Sequence, residues 1–201
     1  MEICPLEMFM VSLPGSRPIP RTCPRHGATN AGGAAVLDGR MTNDDDWRAD
    51  RIGSARAGTN PTVLAKLPQA YAVIGDTQFL PGYCVLLVDE PGIDRLTDLP
   101  KARRLEYLAS MDTLGEAVEA ACRATDPGFR RMNYEVLGNT DAYLHAHLFP
   151  RYEWEPPEQV GGPVWLYDFD ELYSTDAALG SRHDELRKRI VAELEVRGAQ
   201  T

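Results

Sequence analysis

The chain is poor in the residues that most often betray chemistry. It holds four histidines and four cysteines in 201 residues. Cys4, Cys23, Cys84 and Cys122 lie far apart, Cys84 and Cys122 inside apolar runs, which speaks against a disulfide framework. Read as reduced thiols, they place the protein in the cytoplasm. Positive charge is also short: 21 Lys and Arg stand against 30 Asp and Glu, a net charge of −9. Such a balance opposes sequence-independent attraction to nucleic acid or anionic lipid. No apolar run approaches the roughly 18 residues of a membrane span, and the N-terminus lacks the basic n-region of a signal peptide. Neither nucleic acid nor a membrane is therefore expected as a partner.

What is present is a chain of 43% hydrophobic and 25% charged residues, long enough for one domain with a real core. Residues 1–40 hold five Pro, five Gly and a single aromatic, Phe9, without sustained periodicity, and are expected to be a disordered tail. Met41 stands where the character changes and is an alternative start. The Cys23-Pro-Arg-His26 cluster in the tail lacks the second pair that a metal site needs. A domain is expected over 41–201, its core about 47–155 and a C-terminal extension over 156–201.

A helix is predicted from Trp47 to a C-cap at Gly58, with Asn60-Pro61 turning the chain out. Strands follow over 70–74 and 83–88 as antiparallel neighbours. After Asp98-Leu99-Pro100, a helix carries Leu108, Met111, Gly115, Val118 and Cys122 on one stripe. Two strands, 132–137 and 143–149, flank the turn Gly138-Asn139-Thr140-Asp141. A last helix from Ser181, with Asp184 as an approximate capping box, buries Leu186, Ile190, Val191 and Leu194. Hairpins and segregated helices indicate an α+β fold: an antiparallel sheet of about five strands, a long helix on one face and a C-terminal helix.

Two of the four histidines are His145 and His147, in a predicted strand. Strand alternation puts Tyr143, His145, His147 and Phe149 on one face and Leu144, Ala146 and Leu148 on the other, with the leucines toward the core. Three readings stay open from spacing alone: two solvated or locally bonded histidines, a His-x-His metal site whose third ligand comes from afar, and nucleophilic catalysis by neutral imidazole.

The stretch from Asn133 through Asn139, followed by Tyr143-Leu144-His145-Ala146-His147-Leu148-Phe149-Pro150-Arg151-Tyr152, resembles the signature of the histidine triad (HIT) family. The likeness is greatest to its bacterial diadenosine-polyphosphate-hydrolase-like members. Gly58-Thr59-Asn60-Pro61, Asp76, Phe79-Leu80-Pro81-Gly82-Tyr83 and Leu96-Thr97-Asp98-Leu99 resemble members in order and spacing, so the likeness spans roughly 47–155. It implies a HIT-like fold and a nucleotide hydrolase or nucleotidyltransferase with a covalent nucleotidyl-histidine intermediate. The implied substrate is of diadenosine polyphosphate or nucleoside phosphoramidate type, with no cofactor required. A homodimer paired through the helix and a strand edge is also implied. His145 matches the family's nucleophile and His147 its third histidine.

Tyr143 stands where the first histidine belongs, and a phenol cannot share a proton as imidazole does. The loop from Asp89 to Asp94 carries carboxylates where many members place a histidine, which disfavours a long polyphosphate. Asn133, Asn139, Thr140, Tyr143 and Arg151 are the expected substrate-binding residues. The apolar runs between 70 and 88 would floor the base pocket, although most of these side chains read as core. Trp165 and Tyr167, beyond the signature, could cover either a neighbouring subunit or the pocket. Two alternatives stand beside the enzyme: a nucleotide-binding protein with little turnover, and a zinc-dependent hydrolase.

Overall fold

Short β-rich runs joined by one tight turn and one longer loop take the chain from residue 63 to 88 through a meander. The computed structural model describes residues 46–139 and 141–199. The expected tail over 1–40, Met41 and Thr140 lie outside the described residues. Strands β1 (Val63–Leu67), β2 (Ala70–Ile74) and β3 (Cys84–Val88) pair antiparallel in sequence. β4 (Phe129–Glu135) and β5 (His145–Tyr152) complete a five-stranded sheet of order β1-β2-β3-β5-β4. β5 thus inserts between β3 and β4. Its register sets Val85 opposite His147 and Leu87 opposite His145, while Glu135 pairs with His147 from the other side.

β1 has no counterpart among the predicted strands. Its hairpin turns through Pro68-Gln69, which lacks the Asn-Gly or Asp-Gly signal, and Gln69 adopts φ 61° without being glycine. The Gln69 side chain offsets that strain by bonding Arg103 Nε at 2.5 Å and Glu106 Oε2 at 2.7 Å.

The helix expected from Trp47 forms as two pieces, α1 (Asp46–Ala49) and α2 (Arg51–Ala57). Asp50 splits them because its carboxylate accepts the Gly53 N–H at 2.8 Å, starting a new helix. Gly58 closes α2 in the left-handed conformation at φ 71°, as predicted.

Helix α3 (Lys101–Thr125) starts directly after Pro100 and packs on β2, β3, β4 and β5. Of the expected stripe, Gly115, Val118 and Cys122 are buried, but Leu108 and Met111 lie at its margin. The deepest line runs through Tyr107, Leu114, Ala117, Val118 and Ala121. Tyr107 belongs to it because its hydroxyl finds an acceptor, the Leu86 carbonyl, at 3.0 Å.

After β5 come two short segments, the 3-10 turn Val164–Leu166 and α4 (Phe169–Leu172), and then α5 (Asp184–Val196), which packs on α3 and β1. α5 buries Leu186, Ile190 and Leu194. Each such side chain contributes about 1.5–3 kcal/mol of burial. The chain enters α5 through the 3-10 turn Ser181–His183, and the Gly180 N–H donates to His183 Nδ1 at 3.1 Å. An imidazole therefore serves the helix start where a Ser181 to Asp184 box was expected.

Ala70, Ala72, Ile74, Cys84, Leu86, Val88, Ala146 and Leu148 form the sheet side of the core. Cys84 and Cys122 are buried free thiols. No described helix is long and apolar enough to cross a membrane. With α3 and α5 on one face, the histidines stand on the other.

Candidate active site

Alternation through Leu144 and β5 buries Leu144, Ala146 and Leu148 at 0–1% exposure and turns His145 and His147 to the opposite face, as the sequence predicts. The two rings lie 4.8 Å apart between centroids and nearly perpendicular, at 82°. His145 is 6% exposed, and its Nδ1 lies 2.8 Å from the Tyr143 carbonyl oxygen. A carbonyl can only accept, so Nδ1 carries the hydrogen, and in the neutral ring the lone pair is on Nε2.

His147 is held differently. Its Nδ1 lies 2.7 Å from the Tyr83 hydroxyl. Burial keeps that phenol far above its ordinary range, so it retains its hydrogen. His147 is its hydrogen-bond partner among the described residues, and a buried O–H left unpaired is costly. The phenol therefore donates to Nδ1 and leaves the His147 proton on Nε2. Burial, and then the neighbouring His145, push the His147 imidazole down to about 4. His147 is neutral at pH 7, a hydrogen-bond donor rather than a cation. Phe149 stacks on Tyr83 at 4.3 Å and 9° and fixes the ring that fixes His147.

Two cavities open on this face, and His145, His147, Asp141 and Tyr173 line both. The first, of ≈ 170 Å³, has Val73, Val85 and Leu87 as its floor and Arg51, Asp76 and Tyr143 at its rim. The pleat thus divides the apolar run, sending these three side chains to the cavity and Ala72, Leu86 and Val88 to the core. Arg51 meets Asp76 at 2.5 Å and 3.4 Å, a two-pronged ion pair that leaves the rim nearly neutral. The second cavity, of ≈ 570 Å³, is walled by Leu137, Asn139, Trp165 and Tyr173. Trp165 sits edge-on to His147 at 4.9 Å and to Phe149 at 5.4 Å, and its indole N–H donates to Glu135.

The expected site residues divide accordingly. His145, His147, Tyr143 and Asn139 come together around the cavities. Tyr143 contributes its carbonyl to His145 as well as its ring, which is 5.0 Å away. Asn133 pairs with Phe149 on β4 and lines neither cavity.

Arg151 is a correction. It was expected to hold substrate, but its side chain is 2% exposed and ion-paired with the fully buried Glu155 at 2.8 Å. It also donates to the carbonyls of Gly162 at 2.8 Å and Val160 at 3.2 Å. Its charge is spent on the segment after β5, which carries Trp165.

Of the loop carboxylates, Asp89 and Glu90 are a second correction, whereas Asp94 lines a hollow together with Arg95 and His145. Asp89 pairs with Lys66 at 2.5 Å and Glu90 with Arg103 at 2.6 Å, where two cations draw them to a polar hollow that contains neither histidine. Sequence reasoning assigned no role to Tyr83, Asp141 or Tyr173. Tyr83 was visible within Phe79-Leu80-Pro81-Gly82-Tyr83 and Asp141 within the turn before β5, while Tyr173 carries no local signal. Among the described residues, no three His, Cys, Asp or Glu side chains converge as ligands for a metal ion.

No family model matches this sequence, and no curated protein does. Solved structures do match. A histidine triad protein from Marinobacter aquaeolei superposes with a TM-score of 0.52 at 21% identity, covering 71% of this chain and 94% of that one. One from Sinorhizobium meliloti gives 0.52 at 19%, covering 69% and 93%. A hypothetical histidine triad nucleotide-binding protein from Sulfolobus tokodaii gives 0.52 at 12%, covering 72% and 91%. The α+β fold of this chain is the HIT-like fold.

Proposed function

We propose that this chain is a histidine triad enzyme that hydrolyses nucleotide derivatives at the α-phosphorus through His145. The observation that carries the reading is the 2.8 Å contact of His145 Nδ1 with the Tyr143 carbonyl oxygen. With Nδ1–H on the Tyr143 carbonyl, Nε2 presents a lone pair beside a cavity with an apolar floor. That floor suits a nucleobase, and the histidines line the same cavity. The nucleotide-binding designation of the Sulfolobus tokodaii protein, which shares this fold, supports the same class of ligand.

In the proposed reaction, Nε2 of His145 attacks the phosphorus. An N–P bond forms while the bond to the leaving group breaks, and its electron pair departs with the leaving atom, which takes a proton from water. Water then attacks the nucleotidyl-histidine, the N–P bond breaks, and a proton is released. One water is consumed in total. Splitting the displacement replaces direct attack by water, a poor nucleophile, with attack by an imidazole nitrogen. His147, neutral with hydrogen on Nε2, donates to a non-bridging oxygen as charge gathers there, and Asn139 adds a neutral donor. The scheme requires no metal. Whether water or another acceptor resolves the intermediate sets hydrolase against transferase, and water is the acceptor proposed.

Adenosine 5′-phosphoramidate mixed with the protein and quenched under mildly alkaline conditions should leave an adenylyl-sized mass on His145, located by peptide mass spectrometry. Rapid turnover with no adduct on His145 in any quench would overturn the assignment. We also propose a homodimer through edge strand β4 and α3, where Tyr134 is 41% exposed; light scattering checks its mass.

A further inference from the structure

We propose that Gln78, which lines neither cavity at the histidines, is a positioning residue: its buried amide fixes the loop between β2 and β3, so that Tyr83 meets His147 and holds that ring with hydrogen on Nε2. The consequence for turnover rests on the reading of His147 as a donor to the reacting phosphate. The consequence for the imidazole itself does not.

Gln78 is 3% exposed, and its amide is paired within the loop. Oε1 accepts the Gly82 N–H at 2.8 Å. Nε2 lies 2.9 Å from the Tyr83 carbonyl oxygen, 3.0 Å from that of Gly75 and 3.1 Å from that of Thr77. Three carbonyls around one nitrogen leave a single orientation of the amide, since the flipped one would set oxygen against oxygen. Two N–H groups converge on the Tyr83 carbonyl, one from Gln78 and one from Gly75 at 2.9 Å, so Tyr83 is tied to the start and the middle of the loop. The backbone N–H of Gln78 donates elsewhere, to the Ala177 carbonyl at 2.6 Å, and a change of side chain leaves that docking in place.

The end of the loop then leaves Tyr83 little choice. Leu80-Pro81-Gly82-Tyr83 is a turn closed by the Tyr83 N–H on the Leu80 carbonyl at 3.0 Å, with Gly82 at φ 91°, the proline-then-glycine pattern that a type II turn favours. The ring takes the space beside Gly75, where an added Cβ would stand 2.2 Å from a ring carbon. Its hydroxyl is thereby delivered to His147 Nδ1 at 2.7 Å. A hydrogen bond of that kind tolerates a displacement of only roughly 0.5 Å, so a loop that relaxes loses it. His145 needs none of this support, because its Nδ1–H is held by the carbonyl two residues before it. The two imidazoles therefore answer to different parts of the chain, and removing the Gln78 amide should disturb one and spare the other.

Nitrogen-15 NMR of the histidine rings at pH 7 reads the tautomers in the free protein, the His147 signals being assigned by their loss in His147→Gln. The native protein should show hydrogen on Nδ1 of His145 and on Nε2 of His147. Gln78→Met should turn the His147 pattern into an average of both tautomers and leave that of His145 unchanged, which also shows the fold to be intact. Gln78→Glu has the same size and keeps the acceptor for Gly82, but it sets an oxygen against the three carbonyls; it should do the same, and it carries the test where Gln78→Met does not fold. On adenosine 5′-phosphoramidate, Gln78→Met should lower kcat about tenfold with KM within about twofold, and should add nothing to Tyr83→Phe. An unaltered His147 pattern in the Gln78 variants, a His145 pattern that changes along with it, or effects of Gln78→Met and Tyr83→Phe that multiply would overturn the proposal. The adduct on His145 in the native protein tests the nucleophile separately: its absence sinks the proposed reaction and leaves the tautomer result standing.

Discussion

His145 and Arg151 share one strand and one face, yet they meet opposite fates. At the N-terminal end of β5 the imidazoles open onto cavities, whereas at its C-terminal end Arg151 is roofed by the chain and neutralised by Glu155. Alternation along a strand assigns a side, but what later packs on that side decides between a site and a core. The two ends remain linked, since Arg151 holds the segment that brings Trp165 against His147.

The sharpest break in the comparison is His145→Ala. Removing the nucleophile should lower kcat/KM for a nucleoside phosphoramidate by at least about four orders of magnitude while the melting temperature barely moves. Arg151→Met should do the reverse. It strands the Glu155 carboxylate in the interior and should cost about 3–5 kcal/mol in urea unfolding. Replacing both partners with apolar residues should recover most of that loss, and equal stability of Arg151→Met and the native protein would contradict a buried clamp.

Acid should act on the open end. Folded His147 titrates near 4, against about 6.5 when unfolded, because burial and then His145 disfavour its charge. Between these values the unfolded chain binds the extra proton. This contribution to stability is therefore complete above about pH 6.5 and is lost as pH falls toward 4, a loss of roughly 2–3 kcal/mol between pH 7 and 4.5. Denaturant midpoints for the native and His147→Gln proteins at the two pH values isolate the effect, since the variant lacks that titration. The smallest expected change follows Tyr83→Phe. The stack on Phe149 survives, the hydrogen bond to His147 Nδ1 does not, and kcat/KM should fall about tenfold, near the worth of one hydrogen bond.

Much of the fold was legible because its signals are local. The strand over 70–74, the Gly58 cap, the start of α3 and the buried stripe of α5 all follow from periodicity and turn chemistry within a few residues. β1 escaped because Pro68-Gln69 is a tight turn without glycine or asparagine, made tolerable by Arg103 and Glu106 from a distant helix. In the site, spacing put the histidine pair on one face, while Asn139 was offered by the resemblance to the histidine triad signature. Tyr83, 64 positions before His147, carries no sign of a partner until β3 and β5 are laid side by side. Asn133 and Arg151 misled because each lies within the resembling stretch yet lines neither cavity.

The sequence by itself determined the α+β class, the face on which His145 and His147 stand and the burial of their neighbours, since a strand's two-residue period depends on nothing beyond the strand. Only the tertiary structure decided which nitrogen of each imidazole holds the proton, that Arg151 is a clamp, and that Trp165 closes one side of the cleft. Those outcomes rest on contacts between distant segments, where burial and the supply of hydrogen-bond partners are set by packing rather than by order along the chain.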